Sequence, residues 1–348
     1  MIKVKKLGVI LEPTKIPFES QAVLNPGTYQ EGKFVHLFYR AIDKKNRSSI
    51  GYAKLDGPTK VIERWKKPIV RRTFNYEKKG VEDPRIVKIG NIFYLLYVAH
   101  DGKNALTAYA TSRDLKHFKK HGVVSAQITY HEAERIFRKN PRLKDAYFFF
   151  ASFYEQFSGQ DVLLWEKDFI LFPKKIRGQF AVVHRVLPDM QIVFFKKFSD
   201  LTNNFWRRYL KDLSKHVILE GKHWFESRNI GGGAPPIETK TGWLLILHTV
   251  EELNRGRVYH ASAALLDKNN PGKLIGRLHE PLFSPVKSWE RSGVVSNVVF
   301  PTGTALFGDT LYIYYGAADK RIGVASVDIN DLIREIKNPK GHHKKSMV

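Results

Sequence analysis

The stretch EDPRIVKIGNIFYLLYVAHDGKNALTAYATSRDLKHF, Glu82–Phe118, decides the fold. It opens on an acidic residue beside proline, enters an apolar strand and turns at Gly90. It then runs through an aromatic strand and ends in a third strand rich in Ala. A glycine between two apolar runs is a hairpin signal. The same order of signals appears in NPGTYQEGKFVHLFYRAIDKKNRSSIGYAKLDG over Asn25–Gly57 and in FILFPKKIRGQFAVVHRVLPDMQIVFFKKFSDL over Phe169–Leu201. It returns in GGGAPPIETKTGWLLILHTVEELNRGRVYHASAALLD over Gly231–Asp267 and in SNVVFPTGTALFGDTLYIYYGAADKRIGVASVDINDL over Ser296–Leu332. The turns EGK, IGN, IRG, KTG and FGD punctuate the five copies.

Each copy supplies three strands, and the sequence between copies supplies a fourth. Four-stranded units repeated radially make a β-propeller. The expected fold is therefore all-β, a five-bladed β-propeller forming one domain over residues 1–335. A β-sandwich whose hairpins resemble one another by chance is the competing architecture. Residues 126–168 form an insert between the second and third blades. Within it, His131–Arg138 reads as helix, and AYFFFASFY, Ala146–Tyr154, reads as a buried strand or a subunit contact. A second irregular stretch carries Trp206 and Trp224, which suit sugar stacking or core packing alike. Residues 336–348 read as a basic, disordered tail.

The 348 residues are 43% hydrophobic and 13% aromatic, enough for a sizeable core and biased towards strands. The chain has no Cys, which excludes disulfides and thiolate metal sites. No metal and no organic cofactor is expected. The N-terminus MIKVKKLGVILEPTK lacks a long apolar h-region, and no run approaches a membrane span, so a soluble, cytoplasmic protein without a membrane partner is expected. The formal charge of +24 suits an anionic substrate, surface or polymer. Lys and Arg are dispersed and no nucleic-acid module accompanies them, so nucleic acid is not the expected partner. A non-catalytic basic propeller that binds an anionic polymer is the reading from outside enzymology. A homo-oligomer is compatible with the sequence.

Innermost propeller strands bring their ends to one mouth of the central channel. The corresponding positions here are Asn25, Asp83 with Arg85, Lys167 with Asp168, Asn229 and Asn297, with His184-Arg185 and His248 on following strands. Polar residues at such positions need partners or a function. Asp83 suits a general acid, and equally a turn cap paired with Arg85. An Arg at 185, ending an apolar strand, needs an anion. GGGAPP has no helix after it and is no phosphate loop.

NPG with YRA, SSIGYAKLDG, EDPRI, TSRDLKHF, KDFILFPKKI, HR, IGGGAPPI, LLILH, YHASAALLD, IGR, SNVVFPTG and YIYYGAAD occur in this order from Asn25 to Leu332. In this the chain resembles glycoside hydrolase family 130, which contains β-mannoside phosphorylases and related β-mannosidases. The resemblance implies a five-bladed propeller with Asp83 as catalytic acid. It implies that inorganic phosphate, the co-substrate, attacks the anomeric carbon of an oligosaccharide and that mannose 1-phosphate leaves with inversion. It assigns Lys167, Arg185, His248 and Tyr259 to phosphate, and Asn25, Arg40, Ser49, Arg85, Asp168 and Asp319 to the sugar. Many relatives carry Lys where this chain has Asn229, with Arg228 before it on the opposite face of a strand. That departure keeps an inverting β-mannosidase as the alternative, with Glu226, Glu251 or Glu252 as the general base that such an enzyme needs.

Overall fold

The computed structural model describes residues 2–339. The architecture is mostly β. Strands fall into five antiparallel groups that follow one another along the chain. The first holds Ala22–Glu31, Phe34–Ile42, Ser48–Asp56 and Lys60–Arg64, and the second Gly80–Ile89, Ile92–His100, Ala105–Ser112 and Lys119–Val123. The third holds Ile170–Leu171, Phe180–His184, Met190–Phe195 and Val217–Leu219. The fourth is built on Asn229–Gly232, Trp243–Leu253, Gly256–Leu266 and Leu274–Arg277. The fifth takes Val299–Phe307, Thr310–Ala317 and Arg321–Asp328, and its outer strand is Lys5–Leu11 from the other end of the chain.

Five hydrophobic clusters hold these groups together, each bridging consecutive groups. One joins the first to the second and one the second to the third; others join third to fourth and fourth to fifth; the last returns from the fifth to the first. The strand Phe34–Ile42 shows why these segments read as nearly continuous apolar runs. Val35, Leu37, Tyr39 and Ala41 pack towards the fifth group and Phe38 towards the second. A strand buried on both faces has no polar side to alternate with. Each such Leu or Phe contributes about 1.5–3 kcal/mol by leaving water.

The inner strands approach one another closely. A Cβ at Gly27 would collide with the Pro84 carbonyl, and one at Gly303 with that of Pro26. Register slips by a bulge at Leu24/Gly27 and at Glu82/Arg85, where the prolines supply no N–H to the ladder. Asn25 (φ 47°) and Asp83 (φ 47°) adopt the left-handed conformation beside these bulges, as does Asn297 (φ 60°). Such backbone is uncommon for residues other than glycine and concentrates at functional sites.

A repeated buried ion pair staples four of the groups. Glu19, Glu77, Glu226 and Glu290 each follow an aromatic residue in a short turn before an inner strand, and all are buried. Each meets a cation from the outer strand of its own group: Arg64, Lys120, Arg277 and Lys6 respectively. Tyr39, Tyr97 and Tyr315 donate to Glu19, Glu77 and Glu290 from the second strands.

The insert corrects one expectation. AYFFFASFY is helical, within Asp145–Ser158, and is not a strand. Tyr147, Phe150 and Ala151 are buried on one face, while Phe149, Phe153 and Phe157 are exposed on the other. The expected helix around His131–Arg138 is present as Tyr130–Phe137, capped by Thr129, whose hydroxyl accepts from Glu132 N–H. Trp206 serves the core and donates to the Val124 carbonyl at 2.9 Å. The tail reading is corrected at its start: Ile336 and Lys337 end the helix Ile329–Lys337, and Ile336 is buried. Residues 340–348 of that tail lie outside the described residues. No helix among the described residues is long and apolar enough to cross a membrane.

Candidate active site

Because the inner strands converge, their starting residues line one cleft of about 720 Å³. Asn25, Asp83, Asn229 and Asn297 reach it from four groups, and Lys167 and Asp168 from the segment before the third. Arg40, Arg185, His248, Tyr259 and Asp319 complete its interior from neighbouring strands. Six basic side chains and four carboxylates line it.

Asp83 sits in a cationic bracket. The Asn25 amide donates to its Oδ1 at 2.9 Å, and Arg40 Nη1 stands 3.6 Å away. Arg40 is itself anchored, through Nη2 to Glu82 at 2.8 Å and through Nε to the Ser48 hydroxyl at 3.0 Å. Burial pushes the Asp83 carboxyl up, but Arg40 and Arg85, with Asn25 and Lys167 behind them, outweigh it and hold the group below the usual carboxylate range. Asp83 is therefore charged in the free protein.

A second cluster lines the same cleft. Arg185 Nη1 meets Asp168 Oδ2 at 2.9 Å and donates to His248 Nε2 at 3.2 Å. His248 Nδ1 faces the Gly232 carbonyl at 3.2 Å. Burial first, and then the Arg185 and Arg85 cations against Asp168, press the imidazole pKa down to about 4. His248 is thus neutral at pH 7, with Nδ1–H donating to Gly232 and Nε2 free to accept from Arg185. Lys167 makes no ion pair within 4 Å among the described residues; its amine lies 4.8 Å from the Trp165 ring centroid. The Tyr259 hydroxyl, its pKa raised chiefly by burial, stays protonated and faces the same space. These groups offer one anion a guanidinium, an ammonium and a hydroxyl.

Several expectations are corrected. Arg85 does not line the cleft: it is buried, donating to the Asp83 carbonyl at 2.7 Å and the Gly233 carbonyl at 3.0 Å, with Asp168 at 3.6 Å. It braces the backbone that carries Asp83. Ser49 does not line the cleft either; its neighbour Ser48 faces Arg40, because adjacent strand residues point to opposite faces. The same alternation splits the His184-Arg185 pair. His184 turns inward between Glu166 and Tyr209, at 2.8 Å from each, and only Arg185 faces the cleft. Glu226 is sealed under Arg277 and accepts from the Lys222 and His223 amides. Glu251 is turned to His260 at 3.2 Å. Neither lines the cleft, so neither is placed to activate water there. Arg228, expected to point away, does line it, paired with Glu252. Tyr154 and Trp165, their rings 4.9 Å apart, join the wall from the insert. Read as a helix, the insert places Tyr154 on the face of Tyr147 and Phe150, a signal that the strand reading hid.

Asp319 (φ 49°) is the odd carboxylate. Burial, opposed by Arg40 and reinforced by Asp83, pushes its pKa up to about 6. A carboxyl raised in the folded state binds its proton more tightly there than in the unfolded chain. Its ionisation therefore destabilises the fold as pH climbs from about 4 to about 6, and the penalty is complete above that. Asp319→Asn is expected to stabilise the protein by roughly 1–2 kcal/mol at pH 8, discounted because the carboxyl opens onto the cleft, and by far less near pH 4. Thermal melts at the two pH values check this.

A profile described as β-1,4-mannooligosaccharide phosphorylase, that of glycoside hydrolase family 130, matches residues 8–338. The chain belongs to family 130. It is 33% identical over 346 residues to a 1,2-β-oligomannan phosphorylase of Thermoanaerobacter sp. (strain X514), covering 95% of this chain and 99% of that one. It is 35% identical over 336 residues to a β-1,2-mannobiose phosphorylase of the same organism, covering 92% and 94%. The crystallised β-1,2-mannobiose phosphorylase of Listeria innocua shares its fold, at a TM-score of 0.71 and 20% identity over 97% of this chain and 99% of that one. As a family 130 member the protein is an enzyme that acts on glycosides.

Proposed function

We propose that this enzyme is an inverting β-mannoside phosphorylase, with its five strand groups as the blades of a five-bladed β-propeller. The ring of clusters that returns from the fifth group to the first, and the outer strand that the N-terminal segment gives the fifth, support the propeller. The substrate class follows from the relatives' names: β-1,2- or β-1,4-linked manno-oligosaccharides with inorganic phosphate as co-substrate.

One observation carries the choice of phosphorolysis over hydrolysis. The cleft that holds Asp83 also offers Arg185, a Lys167 with no ion pair among the described residues and the Tyr259 hydroxyl; of the candidate bases, Glu226 and Glu251 do not reach it, and Glu252 lines it as the ion-pair partner of Arg228 and Arg257. In this reading the terminal mannosyl unit lies between the two clusters, against Asn25, Arg40 and Asp319. A phosphate oxygen forms a bond to the anomeric carbon as the bond to the leaving oxygen breaks, and the Asp83 proton, passed through a sugar hydroxyl, goes to that oxygen. Mannose 1-phosphate and a shortened sugar leave. Bound phosphate is an anion beside Asp83 and opposes the pull of Arg40, Arg85 and Lys167, which brings the carboxyl towards the protonated form that the step requires. His248 acts by orienting Arg185, and Arg85 by holding the Asp83 backbone. The test is incubation with β-1,2- and β-1,4-mannobiose with and without phosphate. Sugar release that requires phosphate is expected; equal release without it would establish a β-mannosidase.

A further inference from the structure

We infer that Glu166 is a positioning residue for the anion-binding groups of the cleft, tying the chain at Asp168 to the chain at Arg185 through one buried carboxyl group. The inference rests on the phosphorylase reading and adds a residue to the machinery of that same site. The three charged side chains that the third group brings to the cleft stand outside its strands. Lys167 and Asp168 precede the two-residue strand Ile170–Leu171, and Arg185 follows Phe180–His184. The ladder ends short of all three, yet a preorganised anion site needs them fixed.

Glu166 supplies what the ladder does not. Its Oε1 accepts from the Asp168 and Arg185 amides, each at 3.3 Å, and its Oε2 meets His184 Nδ1 at 2.8 Å. His184 Nε2 in turn meets the Tyr209 hydroxyl at 2.8 Å, which lies 3.0 Å from the Ile192 carbonyl. Glu166 is rooted in the second group: its N–H donates to the Ala105 carbonyl at 2.8 Å, and its carbonyl accepts from the Thr107 hydroxyl at 3.1 Å. Glu166, His184 and Tyr209 are all buried, and none of them lines the cleft.

Trp165-Glu166 is a fifth aromatic–glutamate pair before an inner strand, beside the four that staple the other groups. Glu77, Glu226 and Glu290 accept from amides three and four residues upstream and meet a cation of their own outer strand. The third outer strand, Val217–Leu219, has no cation to give. Glu166 turns instead to His184, on the second strand, from which Tyr39, Tyr97 and Tyr315 serve the other staples. Its other oxygen is left for the amides of Asp168 and Arg185.

The test is the kinetics of Glu166→Ala, Glu166→Asp and Glu166→Gln, with phosphate and β-mannobiose of the linkage the enzyme cleaves varied in turn, beside thermal melts. Glu166→Ala should raise the KM for phosphate about tenfold, the scale of one or two lost hydrogen bonds, and leave the KM for the mannoside in place. Glu166→Asp keeps a carboxyl for His184 but is one methylene too short to reach both amides as well. It should show the same split at about threefold, whether or not the alanine variant folds. Glu166→Gln keeps an oxygen for the two amides and should hold the KM for phosphate within about twofold of wild type. A lower melting temperature with both KM values unchanged, or equal movement of both, would make Glu166 one more staple of the scaffold and overturn the inference. So would a Glu166→Gln enzyme as impaired as Glu166→Ala. Wild-type turnover that ignores phosphate overturns the phosphorylase reading and the inference together.

Discussion

Asp83→Asn is expected to lower kcat by about 10²–10⁴-fold, the usual contribution of a positioned general acid, while the protein melts as cooperatively as the wild type. The substitution keeps the volume and keeps an oxygen to accept from Asn25, at 2.9 Å from the present Oδ1. It removes the negative charge and the acidic proton, which a carboxamide cannot pass to a leaving oxygen. The bracket of Arg40 and Arg85 loses a charge partner, but Arg40 retains Glu82 and Arg85 retains Asp168. Steady-state kinetics paired with a thermal melt checks this. An Asp83→Asn enzyme that turns over at wild-type rate places the acid elsewhere.

Arg185→Ala is the second large effect. The side chain joins Asp168 to the cleft, and the variant should raise the KM for phosphate about 10²-fold, the scale of removing one donor from a preorganised anion site. It also leaves the buried Asp168 carboxylate with only Arg85 and a neutral His248 nearby, at a cost of roughly 2–4 kcal/mol. Arg185→Lys separates the two consequences. It restores a cation for Asp168 and the fold, but not the planar fork that grips phosphate, so the KM for phosphate should remain well above wild type. The readout is the split between substrates: the KM for phosphate moves and the KM for the mannoside does not. Equal movement of both would mean that Arg185 does not hold phosphate.

The strand groups were legible because the first hairpin of every copy carries a glycine turn and every copy starts on a polar residue beside proline or at an apolar run. The convergence of Asn25, Asp83, Lys167, Asn229 and Asn297 followed from that order alone. The outer strand Lys5–Leu11 was not legible, since its partner Arg321–Asp328 lies at the far end of the chain and no local pattern marks the pairing. AYFFFASFY misled because a short continuous apolar run has no period to separate helix from strand. Side-chain direction was the other loss. A bulge at Glu82/Arg85 shifts the alternation, so Arg85 turns under the cleft, and Arg228 lies just before the strand Asn229–Gly232, where strand alternation does not set its direction. Glu226 was recoverable. Phe18-Glu19, Tyr76-Glu77, Phe225-Glu226 and Trp289-Glu290 recur before inner strands, and a repeated buried glutamate is a staple of the scaffold before it is a catalyst.

The most direct measurement is the configuration of the first-formed product, followed by ¹H and ³¹P NMR during turnover of a β-mannoside in phosphate buffer. The proposed in-line attack by phosphate predicts α-mannose 1-phosphate appearing from the first time point. The β anomer of the phosphate, or free mannose with no phosphate ester, would contradict it.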